Sequence, residues 1–311
     1  RNRPGWIAIS WAAMVDLSVI IVNWNTRELL RACLASVKRH TTGLEYELIV
    51  VDNGSADGSP EMVRTEFPEA VRIENPDNRG FAAANNQGIR AANGRAVLLL
   101  NSDAELTENS LLKLHRYLFS RDEIGAVGGR LTYAGGAPQW SYGFEPSLGR
   151  MLWITVSGLL GIRWGRKPGA VVPENVDQPI PVEYVVGADL MVKKSVFDRA
   201  GLLDESFFAY FEETDLCRRI RAAGSEVWFT PETSIVHRIG SSFGPESLPR
   251  LRIYYTSLFR FLQKHRGGYR AVKVYLLAKF GAHALLARPD ADGRARFQAI
   301  RASGLEYPRR P

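Results

Sequence analysis

The sequence predicts an α/β protein built on a parallel sheet, with a nucleotide-sized crevice at the ends of its first strands. Three observations predict it. Strand-length apolar segments alternate with helix-patterned segments through the first hundred residues, a βαβαβαβ order that implies right-handed crossovers. The segments at 17–22, 48–51 and 96–100 are apolar or nearly so without alternation, as in strands covered on both faces. Each of them ends in polar residues: Asn23 and Asn25, Asp52 and Asn53, Asn101 and Asp103. Open α/β sheets bind ligands beyond such strand ends.

The elements follow in order. Residues 17–22 (LSVIIV) form a strand and 23–26 (NWNT) the loop after it. Thr26 is placed to cap a helix with Leu29, Leu30, Cys33, Leu34 and Val37 on one face. The strand at 48–51 runs into the polar loop 52–59 (DNGSADGS), a helix spans about 60–66, and a short strand covers 71–73. Asn78, Arg79 and Gly80 open a helix through Ala82, Ala83, Ala84 and Ile89, and the strand at 96–100 follows. No GxGxxG follows the first strand, where the loop carries Trp24 instead, so the usual dinucleotide fold is not expected. Past residue 125, segments 126–129 and 182–186 read as further strands around a stretch, 134–180, rich in Gly, Pro and Trp. Within it, 151–162 is almost purely apolar. At about 12 residues it is too short to span a bilayer. It fits either a buried helix or one lying on a membrane surface.

Composition is that of an ordinary globular protein, long enough for a sizeable core. Cys33 and Cys217 sit in apolar-periodic segments and read as buried free thiols. The net charge of +7 is uneven. From Pro249 onward there are 14 Lys/Arg against 3 Asp/Glu, a net of +11, whereas the rest of the chain carries −4. Residues 246–311 therefore read as a basic helical region. In it Leu251, Tyr254, Tyr255, Leu258, Phe259 and Leu262 share one helix face and Arg252, Arg260 and Lys264 the other. A second helix is expected over about 269–287, with Arg270, Lys273 and Lys279 among apolar residues. Basic faces beside aromatic residues suit an anionic membrane surface; packing on the rest of the chain or an oligomer contact, such as a homodimer, are the alternatives. Nucleic acid is not expected, since no recognised binding module accompanies the charge. Residues 1–14 read as an N-terminal extension or a cloning remnant upstream of a natural start at Met14.

Two constellations bear on chemistry. Asn101-Ser102-Asp103 at a strand end suits a divalent metal holding phosphate oxygens, and equally suits a turn. Glu212, Glu213 and Asp215 cluster at a helix start, after the aromatic run 207–211. Carboxylates there complement the helix dipole. Three clustered anions also repel one another, which raises the pKa of at least one and makes it a candidate general base. His237 closes an apolar strand, as a metal ligand or as a structural residue.

Taken together, these segments resemble a family 2 glycosyltransferase of the GT-A fold, in the bacterial rhamnosyltransferase-like branch. The likeness spans about residues 16–245. It rests on the motifs at 18–25 (SVIIVNWN), 51–59 (VDNGSADGS), 78–85 (NRGFAAAN) and 100–103 (LNSD), on Gly187-Ala188, and on 201–205 (GLLDE) and 212–216 (EETDL). The resemblance implies a Rossmann-like mixed sheet flanked by helices, a GT-A catalytic domain over 15–245, with a nucleotide-binding half at about 15–103 and an acceptor half at about 104–245. It implies a sugar-nucleotide site containing Val22, Asn23, Trp24, Asp52, Asn53, Arg79, Gly80, Asn85, Asn101, Ser102 and Asp103. Val22 and Trp24 would flank the base, Asp52 would accept from its ring NH, and Arg79 would lie near the nucleotide. Asp103 takes the place of the last Asp of the family's DXD motif and would bind Mg²⁺ or Mn²⁺ with His237, and Asn101 replaces the first. Glu213 falls where the family usually has an Asp base, which leaves Glu212 as the other candidate beside Asp215. Gly187 and Ala188 would shape the sugar and acceptor pocket.

The implied reaction is inverting transfer of a sugar from a sugar nucleotide, dTDP-rhamnose favoured over UDP- or GDP-sugars, to a saccharide or polyprenol-linked acceptor. The implied location is the cytoplasmic face of the cell membrane, in cell-surface polysaccharide synthesis. A nucleotidyltransferase would share the crevice and metal, but the Lys-rich phosphate loops expected of one are absent; a catalytically inactive nucleotide-sugar-binding module is the other alternative. With a single carboxylate at 101–103, the empty protein is expected to bind metal weakly.

Overall fold

The computed structural model describes residues 15–159, 176–238, 247–286 and 291–306. The expected extension at 1–14 and the end of the apolar stretch at 160–162 lie outside the described residues.

The first half follows the expected alternation: β1 (Leu17–Asn23), α1 (Arg27–His40), β2 (Tyr46–Asp52), α2 (Ser59–Glu66), β3 (Val71–Glu74), α3 (Phe81–Ala91) and β4 (Ala96–Asn101). β1 lies between β2 and β4, parallel to both, and β3 is parallel to β2. Both faces of β1 are covered. Leu17, Val19 and Ile21 pack with Leu30 and Leu34 of α1, while Ile20 packs with Ala82 and Ile89 of α3. This two-sided burial is why the segment lacks polar alternation. The register sets Asn23 level with Asp52 and Val22 level with Asn101, so the polar strand ends stand side by side.

The second half adds β5 (Ala104–Leu106), α4 (Ser110–Leu118), β6 (Ile124–Thr132), β7 (Tyr142–Gly143), α5 (Leu148–Leu159), β8 (Ile180–Pro181), β9 (Tyr184–Val185), β10 (Asp189–Lys193), α6 (Phe197–Ala200), α7 (Glu212–Ala222) and β11 (Glu226–His237). The sheet runs β3-β2-β1-β4-β10-β6-β11-β5, with β8 beside β11. β10 is antiparallel to β4 and β6, so the sheet is mixed and the purely parallel reading holds only for the first four strands. Residues 182–186 are not one strand. The Val182 amide donates to Val227 and the Val186 amide to Ser141, so the segment divides its hydrogen bonds between two partners. β8 joins the main sheet and β9 pairs with β7.

Among the described residues after β11 are three helices: α8 (Leu248–His265), α9 (Tyr269–Leu286) and α10 (Ala291–Ala302). α8 is buried well beyond the face its amphipathic pattern marks. Leu251, Tyr255, Leu258, Phe259 and Leu262 pack with Val272, Leu276, Ala299 and Ile300 of α9 and α10. On another side Ser257 donates to the Ala209 carbonyl at 2.6 Å, and Lys264 reaches Asp204 at 2.6 Å. α8 is thus docked on the chain itself. Helix α5 is not a buried helix: Leu152, Trp153 and Val156 are exposed, while the Met151 carbonyl accepts from Tyr275 of α9 at 3.0 Å. Cys33 and Cys217 are free and buried, as expected.

Candidate active site

A cavity of about 390 Å³ opens at the ends of β1 and β4, within the range of small-molecule sites. Strand-end residues Val22, Asn53, Asn101, Ser102 and Asp103 line it with Trp24, Gly80, Gly187, Ala188, Glu212, Glu213 and His237. These are the residues of the expected site that the fold brings together.

The remaining candidates lie behind the wall. Asn23 is fully buried and donates to Asp52 Oδ2 at 2.9 Å and Ser55 Oγ at 3.0 Å. Asp52 Oδ1 accepts from the Ser55 amide at 2.8 Å, so both its oxygens are held within the protein. Asn85 is buried and donates to the Phe81 carbonyl at 3.0 Å. The Arg79 side chain is exposed and points toward Asp77 at 3.8 Å, while its amide donates to Asn53 Oδ1. None of these four lines the cavity. Thr26, the expected cap, makes no side-chain cap bond; its hydroxyl donates to Asn23 Oδ1 at 2.7 Å and meets Ser102 Oγ at 2.9 Å.

Asp103 and His237 meet at the β4–β11 side. β11 pairs with β5 so that His237 is level with Ala104, one residue after Asp103. Asp103 Oδ1 lies 3.2 Å from His237 Nε2, and Asn101 Nδ2 lies at the same distance from that nitrogen. Asn101 Oδ1 is buried with no hydrogen-bond partner. The other imidazole nitrogen, Nδ1, is 3.1 Å from Gln139 Oε1.

Across the cavity, Glu212 and Glu213 open α7. The two preceding aromatic residues, Tyr210 and Phe211, both have φ of 69°, a left-handed conformation that costs L-residues energy. α8 holds them there: Arg250 Nε donates to Tyr210 Oη at 2.8 Å, and the Phe211 ring packs on Tyr254 and Phe261. Glu212 is almost fully buried and Glu213 is partly open to the cavity. Each has a carboxylate oxygen without a partner. Burial raises Glu213 to about 7, against the backbone hydrogen bonds of the helix start. Burial, and then the Glu213 charge, raises Glu212 well above the carboxylate range. Of the two raised carboxyls, Glu213 is the one partly open to the cavity. Gly187 stands against Glu213; a Cβ there would lie 3.4 Å from Glu213 Cβ.

Asp215 does not belong to this pair. Its side chain is fully buried away from the cavity, bound by Arg219 at 2.8 Å, Lys264 at 2.7 Å and His265 at 2.6 Å. Burial pushes its carboxyl up, but the hydrogen bonds from Lys264, His265 and Arg219 and the Arg219 charge outweigh that and hold it below the usual range. Two residues further along a helix rotates the side chain by about 200°, so Asp215 could not share the cavity face of Glu213.

Residues 18–169 match the family model for Glycosyl transferase family 2. The chain contains a family 2 glycosyltransferase domain. An N-acetylglucosaminyl-diphospho-decaprenol L-rhamnosyltransferase of Mycobacterium tuberculosis is 31% identical over 117 residues, 36% of this chain and 38% of that protein. Rhamnosyltransferase WbbL of Escherichia coli is 28% identical over 111 residues, 36% of this chain and 40% of that protein. The chain spans less than half the length of these curated relatives. The crystal structure of GalNAc-T7 with UDP, GalNAc and Mn²⁺ superposes with a TM-score of 0.60 at 13% identity, over 94% of this chain and 56% of that one. The likeness shows the GT-A fold, a mixed sheet flanked by helices.

The cavity also contains residues that sequence reasoning did not assign to the site. Gln139 and Trp140 come from the segment between β6 and β7 and Arg250 from α8, while Phe208 and Tyr210 belong to the aromatic run noted before the acidic cluster. Arg250 is the only Lys or Arg among the described residues that line it. Its signal in the sequence was indistinct, since it sits among 14 basic residues after position 249.

Proposed function

We propose that this family 2 domain transfers a sugar, with inversion, from a nucleoside diphosphate sugar to a hydroxyl of a saccharide acceptor, with Glu213 as the base. One observation carries the reading: a single cavity is lined by Asp103, His237 and Glu213. Transfer needs an anion-neutralising site and a proton acceptor on opposite sides of the anomeric carbon.

The residues at the strand end fit a divalent cation. Asp103 Oδ1 and His237 Nε2 are 3.2 Å apart, which gives two potential ligand atoms side by side, and the Asn101 amide adjoins them with its Nδ2 toward His237. Among the described residues no group of three His, Cys, Asp or Glu could hold a metal. Substrate oxygens would therefore have to complete the shell, in keeping with weak binding by the empty protein. When bound, Mg²⁺ or Mn²⁺ would supply charge neutralisation at the departing diphosphate. Trp24 and Val22 offer an apolar wall for the base. Glu213, ionised above about pH 7, takes the proton of the attacking hydroxyl. Glu212, raised well above the carboxylate range by burial and by the Glu213 charge, lies beside it.

For the donor, the reading favours dTDP-rhamnose, supported by the two relatives named rhamnosyltransferases. For the acceptor it favours a polyprenol-linked saccharide, supported by the name of the mycobacterial relative. A lipid-borne acceptor accords with the exposed Leu152, Trp153 and Val156 of α5, beside the basic helix α9. No helix among the described residues is long and apolar enough to cross a membrane. We infer peripheral association with the anionic inner leaflet through that face.

Thermal-shift titration with dTDP-, UDP- and GDP-sugars plus Mn²⁺, followed by mass-spectrometric detection of transfer, tests the reading. The largest upward shift is expected for dTDP-rhamnose. If no nucleotide sugar raises the melting temperature, the reading fails.

A further inference from the structure

We propose that Gln139 is a positioning residue that fixes His237 as its Nδ1–H tautomer and so turns the Nε2 lone pair toward Asp103, making the two residues a seat for a divalent cation. The cation part rests on the functional reading above; the tautomer part does not.

The argument begins with the backbone. Gln139 is 8% exposed and follows the bridge between Thr132 and Pro138, where its amide donates to the Leu131 carbonyl at 2.8 Å. This pins its backbone beside the end of β6, next to the end of β11. Its side-chain Nε2 then donates to two backbone carbonyls, Thr132 at 3.2 Å and that of His237 itself. A carbonyl only accepts, so the amide cannot be turned over: the reverse orientation would set Oε1 against two other oxygens. Gln139 Oε1 is therefore the atom that faces His237 Nδ1, at 3.1 Å. Since Oε1 has no hydrogen to give, the hydrogen between them belongs to Nδ1.

A neutral imidazole with hydrogen on Nδ1 has its lone pair on Nε2. That nitrogen lies 3.2 Å from Asp103 Oδ1 and 3.2 Å from Asn101 Nδ2. Two acceptors, a lone pair and a carboxylate oxygen, are thereby brought to hydrogen-bond distance, with the Asn101 Nδ2 donor beside the lone pair, in a site where both side chains are about nine-tenths buried. Such a pair repels unless positive charge lies between or beside the two atoms. The hydrogen bond from the remote nitrogen of a ligating imidazole orients the ring and raises its basicity. Gln139 supplies that bond here from a segment read in the sequence only as Gly-, Pro- and Trp-rich.

The test uses ¹⁵N-histidine-labelled protein and long-range ¹H–¹⁵N spectra at pH 8 without nucleotide, with His237→Asn to assign the signals. Wild-type protein is expected to show Nδ1 protonated and Nε2 bare, a result that requires no variant. Gln139→Leu should release the tautomer. With dTDP present, Mn²⁺ affinity by electron paramagnetic resonance should fall roughly tenfold or more in Gln139→Leu. A protonated Nε2 in wild-type protein overturns the inference. So does a tautomer or Mn²⁺ affinity that Gln139→Leu leaves unchanged. The expected tautomer with normal Mn²⁺ binding, in a protein that transfers no sugar, supports this inference and overturns the functional reading instead.

Discussion

Asp215 and His265 join two helices that sequence reasoning assigns to different parts of the protein: His265 Nε2 of α8 lies 2.6 Å from Asp215 Oδ1 of α7. The same carboxylate binds Lys264 and Arg219. Nearby, the wholly buried Glu145 side chain gathers Arg218 and Arg221 of α7 and Arg266 just past α8. Removing one such carboxylate takes a shared buried anion from several cations at once, although Lys264 keeps Asp204 and Arg219 keeps the Gly201 and Leu202 carbonyls. Asp215→Ala and Glu145→Ala are each expected to cost about 3 kcal/mol in stability. Urea denaturation would measure it; a loss within about 0.5 kcal/mol, typical of a surface change, would remove these clamps from the account.

Glu213 is the carboxylate placed to exchange a proton. Glu213→Gln should lower kcat by roughly 10²–10⁴-fold while nucleotide affinity stays at the wild-type value. In wild-type protein kcat/KM should rise with pH through about 7, because burial holds Glu213 protonated below that point. A rate profile from pH 5.5 to 9 checks both, and a flat profile would take the base role from Glu213.

The same burial has a consequence for stability. Glu213 is raised from 4.5 to about 7, and Asp189, also by burial, from 3.8 to about 7. The folded state therefore binds these protons more tightly than the unfolded state does. Their contribution is fully present at acid pH, below the unfolded values, and is lost as pH rises through about 7. Melting curves should show this contribution falling between about pH 4 and pH 7, with a shallower fall in Glu213→Gln and in Asp189→Asn.

Gly80 has φ of +88°, and a Cβ on it would lie 2.6 Å from the Phe208 carbonyl oxygen. That oxygen already accepts from the Phe81 amide. Gly80→Ala meets both strain and a backbone collision, so a loss of about 2 kcal/mol is expected. Gly187 has ordinary contacts only, so Gly187→Ala should melt close to wild type. Calorimetry of the two side by side distinguishes them.

The exposed face of α5 is expected to bind membranes. In flotation with phosphatidylserine-containing liposomes, replacing Leu152, Trp153 and Val156 together by Ser should reduce recovery in the lipid layer, and raised salt should reduce it further. Equal recovery of variant and wild type would remove α5 from the membrane contact.

Much of the first half was legible because its signals are local. Unbroken apolar runs mark strands buried on both faces, and polar residues at their ends mark the crevice, so Asn101, Ser102 and Asp103 could be read as site candidates before the fold was known. Parallel pairing then aligned those ends. The second half was harder because its strands choose their partners at long range: β10 runs antiparallel between β4 and β6, and residues 182–186 divide between two sheets.

What the sequence alone determined is the α/β class, the order of the first elements, and a group of residues with suitable chemistry. Only the tertiary structure decided which of them face the cavity. Asp52 and Asn23 bind each other behind the wall. Asp215, two positions from Glu213, is turned to α8 by helical geometry and neutralised there. Gln139 and Arg250 reach the cavity from distant segments. Residue type gives the chemistry a group can do; burial and partner, fixed by contacts far apart in sequence, determine whether it is free to do it.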